Sequence, residues 1–388
     1  MPETAPALRR AWLEIDTGAL ARNFRRVAAA VAPARVLPVV KADAYGHGAG
    51  TVARVLEPEG AAGFAVALVE EGIELRRGGV TAPVLVLSPT PPGAEAAVLD
   101  HDLVPVVSAP GQLERIAAAA AAAGRRIAVH LKFDSGMTRL GFAAEEAGAV
   151  LERVRREPAL ELTGLLSHLA EAETPESPAN ARQIEVYRGL VGLLSTAERE
   201  RVALHLANSA GALSIPGSRH GLVRIGLALY GVAPAGSSFA LEPVMAVVSE
   251  LAQVREVPPG TRAGYGGRWT ASRPSRVGVV PVGYADGYPW RAEARASALV
   301  GGRRAPLAGA VSMDLVLLDL TDTGGEVGER VTLVGRDGGE TIPAAELAAH
   351  AGTLVYEILC HFGLRLPRRA VSSGDAAGAR DRQEAMAG

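Results

Sequence analysis

A chain of 388 residues, 48% apolar and 21% charged, is long enough for two domains or for one barrel with an appended domain. Its formal charge of -2 offers no electrostatic ground for nucleic acid or an acidic membrane as the main partner, so the expected ligand is a small molecule. One cysteine, Cys360, excludes an intrachain disulfide framework and suits a reducing compartment.

The opening segment "MPETAPALRRAWLEID" lacks the apolar core of a secretory signal, and no apolar run reaches the length of a membrane span. A cytoplasmic location is expected. Residues 7–16 read as an extra strand joining a later domain, ahead of the helix "TGALARNFRRVAAAV". From residue 37 short apolar runs alternate with Ala-rich helical stretches. The runs are "LPVVKAD", "GFAVAL", "APVLVLS", "LVPVVSA", "IAVHLKFD", "LTGLLSH", "VALHLANS" and "LVRIGLALYG". Continuous apolar runs between amphipathic helices indicate parallel strands buried on both faces, and eight of them suit a (β/α)8 barrel better than an open sheet. The low-complexity run "AAAAAAAG" at 117–124 reads as one of the barrel helices. Lys41, Lys132, Asp134, His168, Asn208 and Ser209 fall at the C-terminal ends of the strands, the rim where barrels of this type build active sites.

Near residue 240 the pattern changes to strands separated by Gly, Pro and Asp turns: "VMAVVSELAQVREV", "RVGVVPVGYADG", "APLAGAVSMDLVLLDL" and "ERVTLVG". Helical periodicity returns only in "AAELAAHAGTLVYEILCHFG", and "VSSGDAAGARDRQEAMAG" has no apolar face. The expected architecture is α/β: an N-terminal (β/α)8 TIM-type barrel over 1–239, a mainly β domain over 240–370, and a disordered tail over 371–388.

Lysine usage singles out two positions. Only Lys41 and Lys132 stand against 38 arginines. A guanidinium serves wherever positive charge alone is wanted, but it cannot condense with a carbonyl. An amine at a barrel rim can form a Schiff base with a carbonyl substrate or with pyridoxal phosphate. On position alone, a structural ion pair between Lys41 and Asp43 is an equal alternative. No metal site is expected.

The block "KADAYGHG" resembles the cofactor-lysine motif of the alanine racemases, fold-type III pyridoxal phosphate enzymes. "HLKFDSGMTRLGF", "LLSHLAEAE", "LHLANSAG", "LVRIGLALYG", "AGYGGRW", "VGYADGYP", "GAVSMDLVLLDL" and "LVYEILC" resemble the family's other blocks in the family's order, over about residues 10–369. The resemblance implies that Lys41 holds pyridoxal phosphate covalently and then acts as a proton-transfer base. It implies phosphate contacts from Tyr45, Ser209, the amides of Gly226 and Leu227, and Tyr356, with Asn208 beside them. An ordinary helix cap remains the alternative for "NSAG" alone. Arg224 is implied to face the pyridine nitrogen, supported by His205, with His168 near the ring; for each histidine alone a structural role stays open.

Racemisation is most simply achieved by two bases on opposite faces of a planar carbanion. The resemblance implies Tyr265 as the second base, entering the partner's site in a head-to-tail homodimer. Tyrosine titrates near 10 in isolation, so this use needs neighbouring cations. Taken alone, Tyr265 also reads as a strand aromatic beside a Gly-rich turn. Arg139 and the Met313 amide are implied to bind the substrate carboxylate, and Tyr284, Tyr356 and Asp314 to narrow the space around the side chain. Lys132 matches a position often carbamylated in the family, with an unmodified pair to Asp134 as the alternative.

The match is imperfect at Thr138, where the family commonly has glycine, at Gly264, where serine is frequent, and in "GYPWRAE". These departures bear on substrate breadth. The implied function is interconversion of L- and D-alanine to supply peptidoglycan, with a racemase of serine or other small amino acids as the alternative. A decarboxylase of the same barrel family is expected to carry an acid at 224 and to lack the Tyr265 block. A non-catalytic pyridoxal phosphate carrier is expected to be a lone barrel.

Overall fold

The computed structural model describes residues 9–292 and 295–372. The part of the expected tail from 373 onward, and residues 7 and 8 of the expected first strand, lie outside the described residues. Two compact units divide the chain at Glu242/Pro243. One comprises Leu20–Ala44 and Ala49–Glu242; the other comprises, among the described residues, those before Leu20, Tyr45–Gly48, and those from Pro243 on.

The first strand, β1 (Ala11–Asp16), belongs to the second of these units, where it pairs antiparallel with β10 and parallel with β20. The barrel strands follow: β2 (Arg35–Pro38), β3 (Phe64–Val66), β4 (Val84–Val86), β5 (Leu103–Val107), β6 (Ile127–Lys132), β7 (Leu160–Leu166), β8 (Ala203–His205) and β9 (Leu222–Ile225). From β3 to β8 each strand pairs parallel with the next. The circuit closes through the β2/β9 pair, the Val39–Ala65 bridge from the end of β2 to β3, and the Arg224 N–H to Ala207 carbonyl bond of 3.0 Å. The expected barrel is therefore present. Its strands are short and, in β3, β4 and β9, buried at every position. Continuous burial explains why they read as unbroken apolar runs.

Three strand ends differ from expectation. β2 stops at Pro38, three residues before Lys41. β8 stops at His205, and Asn208 and Ser209 open a helix, Ser209–Ser214. β9 stops at Ile225, because Leu227–Tyr230 winds into a 3-10 turn. In each case an apolar run outlasts its strand, since rim residues stay buried after the ladder has ended.

The remaining strands are β10 (Met245–Glu250), β11 (Gln253–Val257), β12 (Arg262–Ala263), β13 (Trp269–Thr270), β14 (Ser275–Val280), β15 (Ser297–Val300), β16 (Arg303–Pro306), β17 (Val316–Asp319), β18 (Arg330–Asp337), β19 (Glu340–Ile342) and β20 (Arg368–Val371). One sheet runs β16-β15-β18-β10-β1-β20 with β19 on β18, a second is β11-β14-β17, and β12 pairs with β13. "APLAGAVSMDLVLLDL" is not one strand but the end of β16, a loop, and β17. "AAELAAHAGTLVYEILCHFG" forms two helices, Ala344–Ala351 and Val355–His361, because Gly352 turns left-handed at φ +68 and caps the first. Among the described residues no helix is long and apolar enough to cross a membrane.

Candidate active site

Lys41 opens a turn of unusual handedness. Ala42, Asp43, Ala44 and Tyr45 all have φ between 51 and 55°. Four consecutive L-residues in the left-handed region cost roughly 1–2 kcal/mol each, and strain of this kind persists only where the surroundings impose it. The surroundings are visible. Glu71 accepts the Ala42 amide at 2.6 Å on one carboxylate oxygen and the Ala67 and Leu68 amides at 2.7 and 3.1 Å on the other. Asp43 accepts the Ala49 amide at 2.7 Å and so caps the next helix. Below the turn, the buried Tyr230 hydroxyl donates to the Val39 carbonyl at 2.9 Å. These contacts hold the Lys41 backbone while its side chain remains exposed.

Arg224 is buried inside the barrel on β9, and acceptors surround it. Nη1 donates to His205 Nδ1 at 3.0 Å and to the His205 carbonyl at 2.9 Å. Nη2 donates to the Ser167 and Leu206 carbonyls at 2.7 and 2.9 Å and to His168 Nδ1 at 3.0 Å. Burial pulls the guanidinium down to about 10, which still leaves it protonated at neutral pH. Because it can only donate, both histidines must present bare Nδ1 and carry hydrogen on Nε2. His205 Nε2 lies 2.9 Å from His130 Nδ1, so the direction of donation passes on to a third imidazole. Burial, then the Arg224 charge, pushes His130 down to about 3 and holds His168 and His205 well below the usual histidine value. All three are neutral at physiological pH.

His130 was not singled out from sequence, although a signal existed: it precedes Lys132 by two residues on one strand and therefore shares its face. Gly164 on β7 makes its room, since a Cβ there would overlap the His130 ring. Glu71 left no such signal, lying 29 residues from Ala42.

The rim around Arg224 is rich in positive charge. The charges of Arg224, Arg139 and Lys41 all act unfavourably on the charged forms of both Lys132 and His168, as neighbours at one rim do. Burial, then this repulsion, pushes the Lys132 amine down to about 8, against the opposing pull of Asp134. Asp134 spends its oxygens locally, accepting the Gly136, Met137 and Thr138 amides at 2.9 Å each. Burial would raise it, but the amides of Gly136, Thr138 and Met137, together with Lys132, hold it below the usual carboxylate range. Thr138 has φ +56, the left-handed conformation that favours glycine, immediately before the exposed Arg139. At the neighbouring strand ends, Ser209 Oγ accepts the Gly226 amide at 3.0 Å, next to Leu227 at the start of its 3-10 turn. Asn208 Oδ1 accepts the Gly211 amide at 2.9 Å, the cap expected as the alternative for "NSAG".

The other candidates lie in the second unit. Tyr45 is buried there, its ring 6.2 Å from that of Tyr356 in the first turn of the helix Val355–His361. Burial, then Tyr356 and Cys360, pushes the Tyr45 phenol up. The rest of "AYGHG" is explained by packing: a Cβ on Gly46 would overlap the Leu359 carbonyl, while buried His47 directs Nδ1 to the Tyr45 carbonyl at 2.9 Å. Tyr265 is 75% exposed at the tip of the β12–β13 hairpin, so it is a turn residue, not a strand residue. Gly264 before it has φ +70, a conformation in which serine would be strained. Tyr284, Met313 and Asp314 are exposed on two adjoining loops. Among the described residues no group of three or more His, Cys, Asp or Glu side chains is placed to hold a metal.

The family model for the alanine racemase N-terminal domain matches residues 15–234, and that for the alanine racemase C-terminal domain matches 244–370. A curated alanine racemase of Sorangium cellulosum is 41% identical over 369 residues, covering 92% of this chain and 97% of that protein. The crystal structure of alanine racemase from D-cycloserine-producing Streptomyces lavendulae superimposes with a TM-score of 0.88 at 34% identity, covering 96% of this chain and 98% of that one. That of Bartonella henselae, described with covalently bound pyridoxal phosphate, superimposes with a TM-score of 0.84 at 29% identity, covering 93% and 99%. Both domains and nearly the whole length match in one order, and the chain belongs to the alanine racemase family.

Proposed function

We propose that this protein interconverts L- and D-alanine with pyridoxal phosphate held at the barrel rim, by two bases contributed by different chains of a homodimer, and supplies D-alanine for peptidoglycan in the cytoplasm. The observation that carries the reading is the cluster of Lys41, Lys132, Arg139 and Arg224. Such a concentration of positive charge suits an anionic ligand, and a phosphate ester plus an amino-acid carboxylate supplies two anions. Tyr45, Asn208, Ser209, Gly226, Leu227 and Tyr356 are the proposed phosphate-end residues. Both terminal nitrogens of Arg224 are consumed by protein acceptors, so its Nε–H is the donor left to meet a ring nitrogen.

Pyridoxal phosphate, when bound, supplies the electron sink for the pair left on proton removal from Cα. Lys41 anchors it and moves the proton on one face. Tyr265 moves the proton on the other, and its exposure on a hairpin tip suits entry into the partner's barrel. Arg224 stays protonated and cannot transfer that proton to the ring, which keeps the sink modest and favours return of the proton over side reactions. Arg139 and the Met313 amide hold the carboxylate; Tyr284, Tyr356 and Asp314 limit the side chain. His168 and His205, neutral and pinned to Arg224, orient it.

Lys132, with its amine brought to about 8, has a substantial neutral fraction near neutral pH, as reaction with carbon dioxide requires. The product is an anion among cations, which would orient Arg139. Lys132→Arg is expected to lose activity about tenfold and all response to bicarbonate, whereas the wild type, stripped of carbon dioxide, regains rate on its addition. Equal activity of the two proteins with no bicarbonate response would disprove the carbamate.

The deciding experiment is chiral analysis of cofactor-saturated enzyme with L-alanine, L-serine and a larger amino acid in parallel. Alanine is expected to racemise fastest. Strained Thr138 beside Arg139 favours some activity on serine as the second reading. No racemisation of alanine would overturn the proposal.

A further inference from the structure

Asp286 sits in the loop after β14, its side chain 0% exposed, and four N–H groups converge on it. Arg9 Nη1 and Nη2 donate to its two oxygens at 2.5 and 2.6 Å, the Gly283 amide donates at 2.9 Å, and Arg365 Nε lies 3.2 Å from Oδ1. Arg9 alone already satisfies both oxygens in the bidentate geometry that suits a carboxylate. Arg365 therefore has another destination. Its Nη2 donates to Asp314 Oδ1 at 2.6 Å, so a guanidinium 46% exposed bridges one fully buried acid and one that is 56% exposed.

The backbone repeats the connection. The Tyr284 amide donates to the Ser312 carbonyl at 3.0 Å and the Ala285 amide to the Met313 carbonyl at 2.9 Å. Gly283 lies so close that a Cβ would overlap the Met313 carbonyl. The Gly363 amide reaches the Asp286 carbonyl at 3.2 Å, which ties in the segment that carries Arg365. The loops bearing Tyr284, Met313 and Asp314 thus form one assembly with Asp286 at its centre.

We infer that Asp286 and Arg365 are positioning residues for substrate-carboxylate binding: Asp286 fixes Arg365, and Arg365 fixes Asp314 and with it the Met313 amide. A single amide makes a useful contact only when its direction is set in advance, because ordering a loop on binding would spend the energy gained. The inference rests on the reading that Met313 and Asp314 face the substrate.

The test uses holoenzyme carrying Arg365→Met, which removes the bridge while Arg9 continues to hold Asp286, and Asp314→Asn, which loosens the outer contact without touching Asp286. KM for L-alanine and Ki for propionate, a carboxylate without an amine, are expected to rise together by about five- to tenfold in both variants, with kcat of Arg365→Met within about twofold of wild type. Arg365→Lys, which keeps a charge but not the fork, should fall between Met and wild type. The inference is overturned if folded Arg365→Met enzyme keeps wild-type KM and Ki, or if KM rises without Ki. Should Arg365→Met fail to fold, unchanged constants in Asp314→Asn overturn it equally. Failure of the underlying function would show separately, as wild-type enzyme that neither racemises alanine nor binds propionate.

Discussion

Lys41→Ala and Tyr265→Phe homodimers are each expected to lose at least about a hundredfold in racemisation, the lower end of what a positioned acid or base contributes. The two losses should differ in kind. Without Lys41 the enzyme loses its covalent hold on the cofactor and the absorption that accompanies it. Tyr265→Phe should keep that absorption, and in deuterated water should exchange the α-hydrogen of one enantiomer faster than it racemises it. Mixing the inactive proteins under conditions of subunit exchange discriminates further. If Lys41 and Tyr265 of different chains serve one substrate, each mixed dimer holds one site with both bases and one with neither. Half the dimers being mixed, activity returns to about a quarter of wild type. Verified mixed dimers without activity would refute a shared site.

Arg224→Lys is expected to damage both stability and catalysis although it preserves charge. The two terminal nitrogens share four hydrogens among five acceptors inside the barrel, and an ammonium carries three hydrogens on one nitrogen that cannot span the same spread, so acceptors lose their partner. Orphaned buried acceptors cost roughly 1–3 kcal/mol each, and a total loss of about 2–5 kcal/mol should be measurable by denaturant unfolding. With its direction of donation lost, His205 and His130 are free to exchange tautomers, and kcat/KM should fall about a hundredfold. The pH dependence carries a sign. A lysine buried here would have its folded value pushed below its unfolded value, so the unfolded chain binds more protons between the two. The stability deficit should therefore be greatest below the folded value and shrink as pH rises towards about 10. Arg224 itself, lowered only to about 10, should impose no such slope between pH 7 and 9. A deficit that does not change with pH would mean that the substituted side chain escapes to solvent.

Much of the site's chemistry was legible because it is local. Two lysines in a chain of arginines, one in "VVKADAYGHG", direct attention to amine chemistry without any coordinates. Eight apolar runs with polar residues after them locate the rim, because burial on both faces of a parallel strand leaves a continuous signature. The illegible parts depend on partners remote in sequence. "KADAY" contains no glycine and gives no warning of a left-handed turn; Glu71 and the packing around it impose that conformation. Asp286 reads as one acid in "GYADGYP", yet its partner Arg9 stands 277 residues away.

Residue type and order were thus sufficient to establish which groups can condense, donate or hold charge, since those capacities belong to side chains and change little with context. Orientation was decided only on folding. Arg224 is an arginine in any conformation, but it dictates the protonated nitrogen of His168 and His205 only because the C-terminal ends of β7 and β8 deliver carbonyls and imidazoles to its two terminal nitrogens on β9 at 2.7–3.0 Å. The same holds for Lys41. Its amine was evident in one dimension; the strained turn that follows it exists because long-range hydrogen bonds outweigh the local preference of four L-residues for the opposite hand.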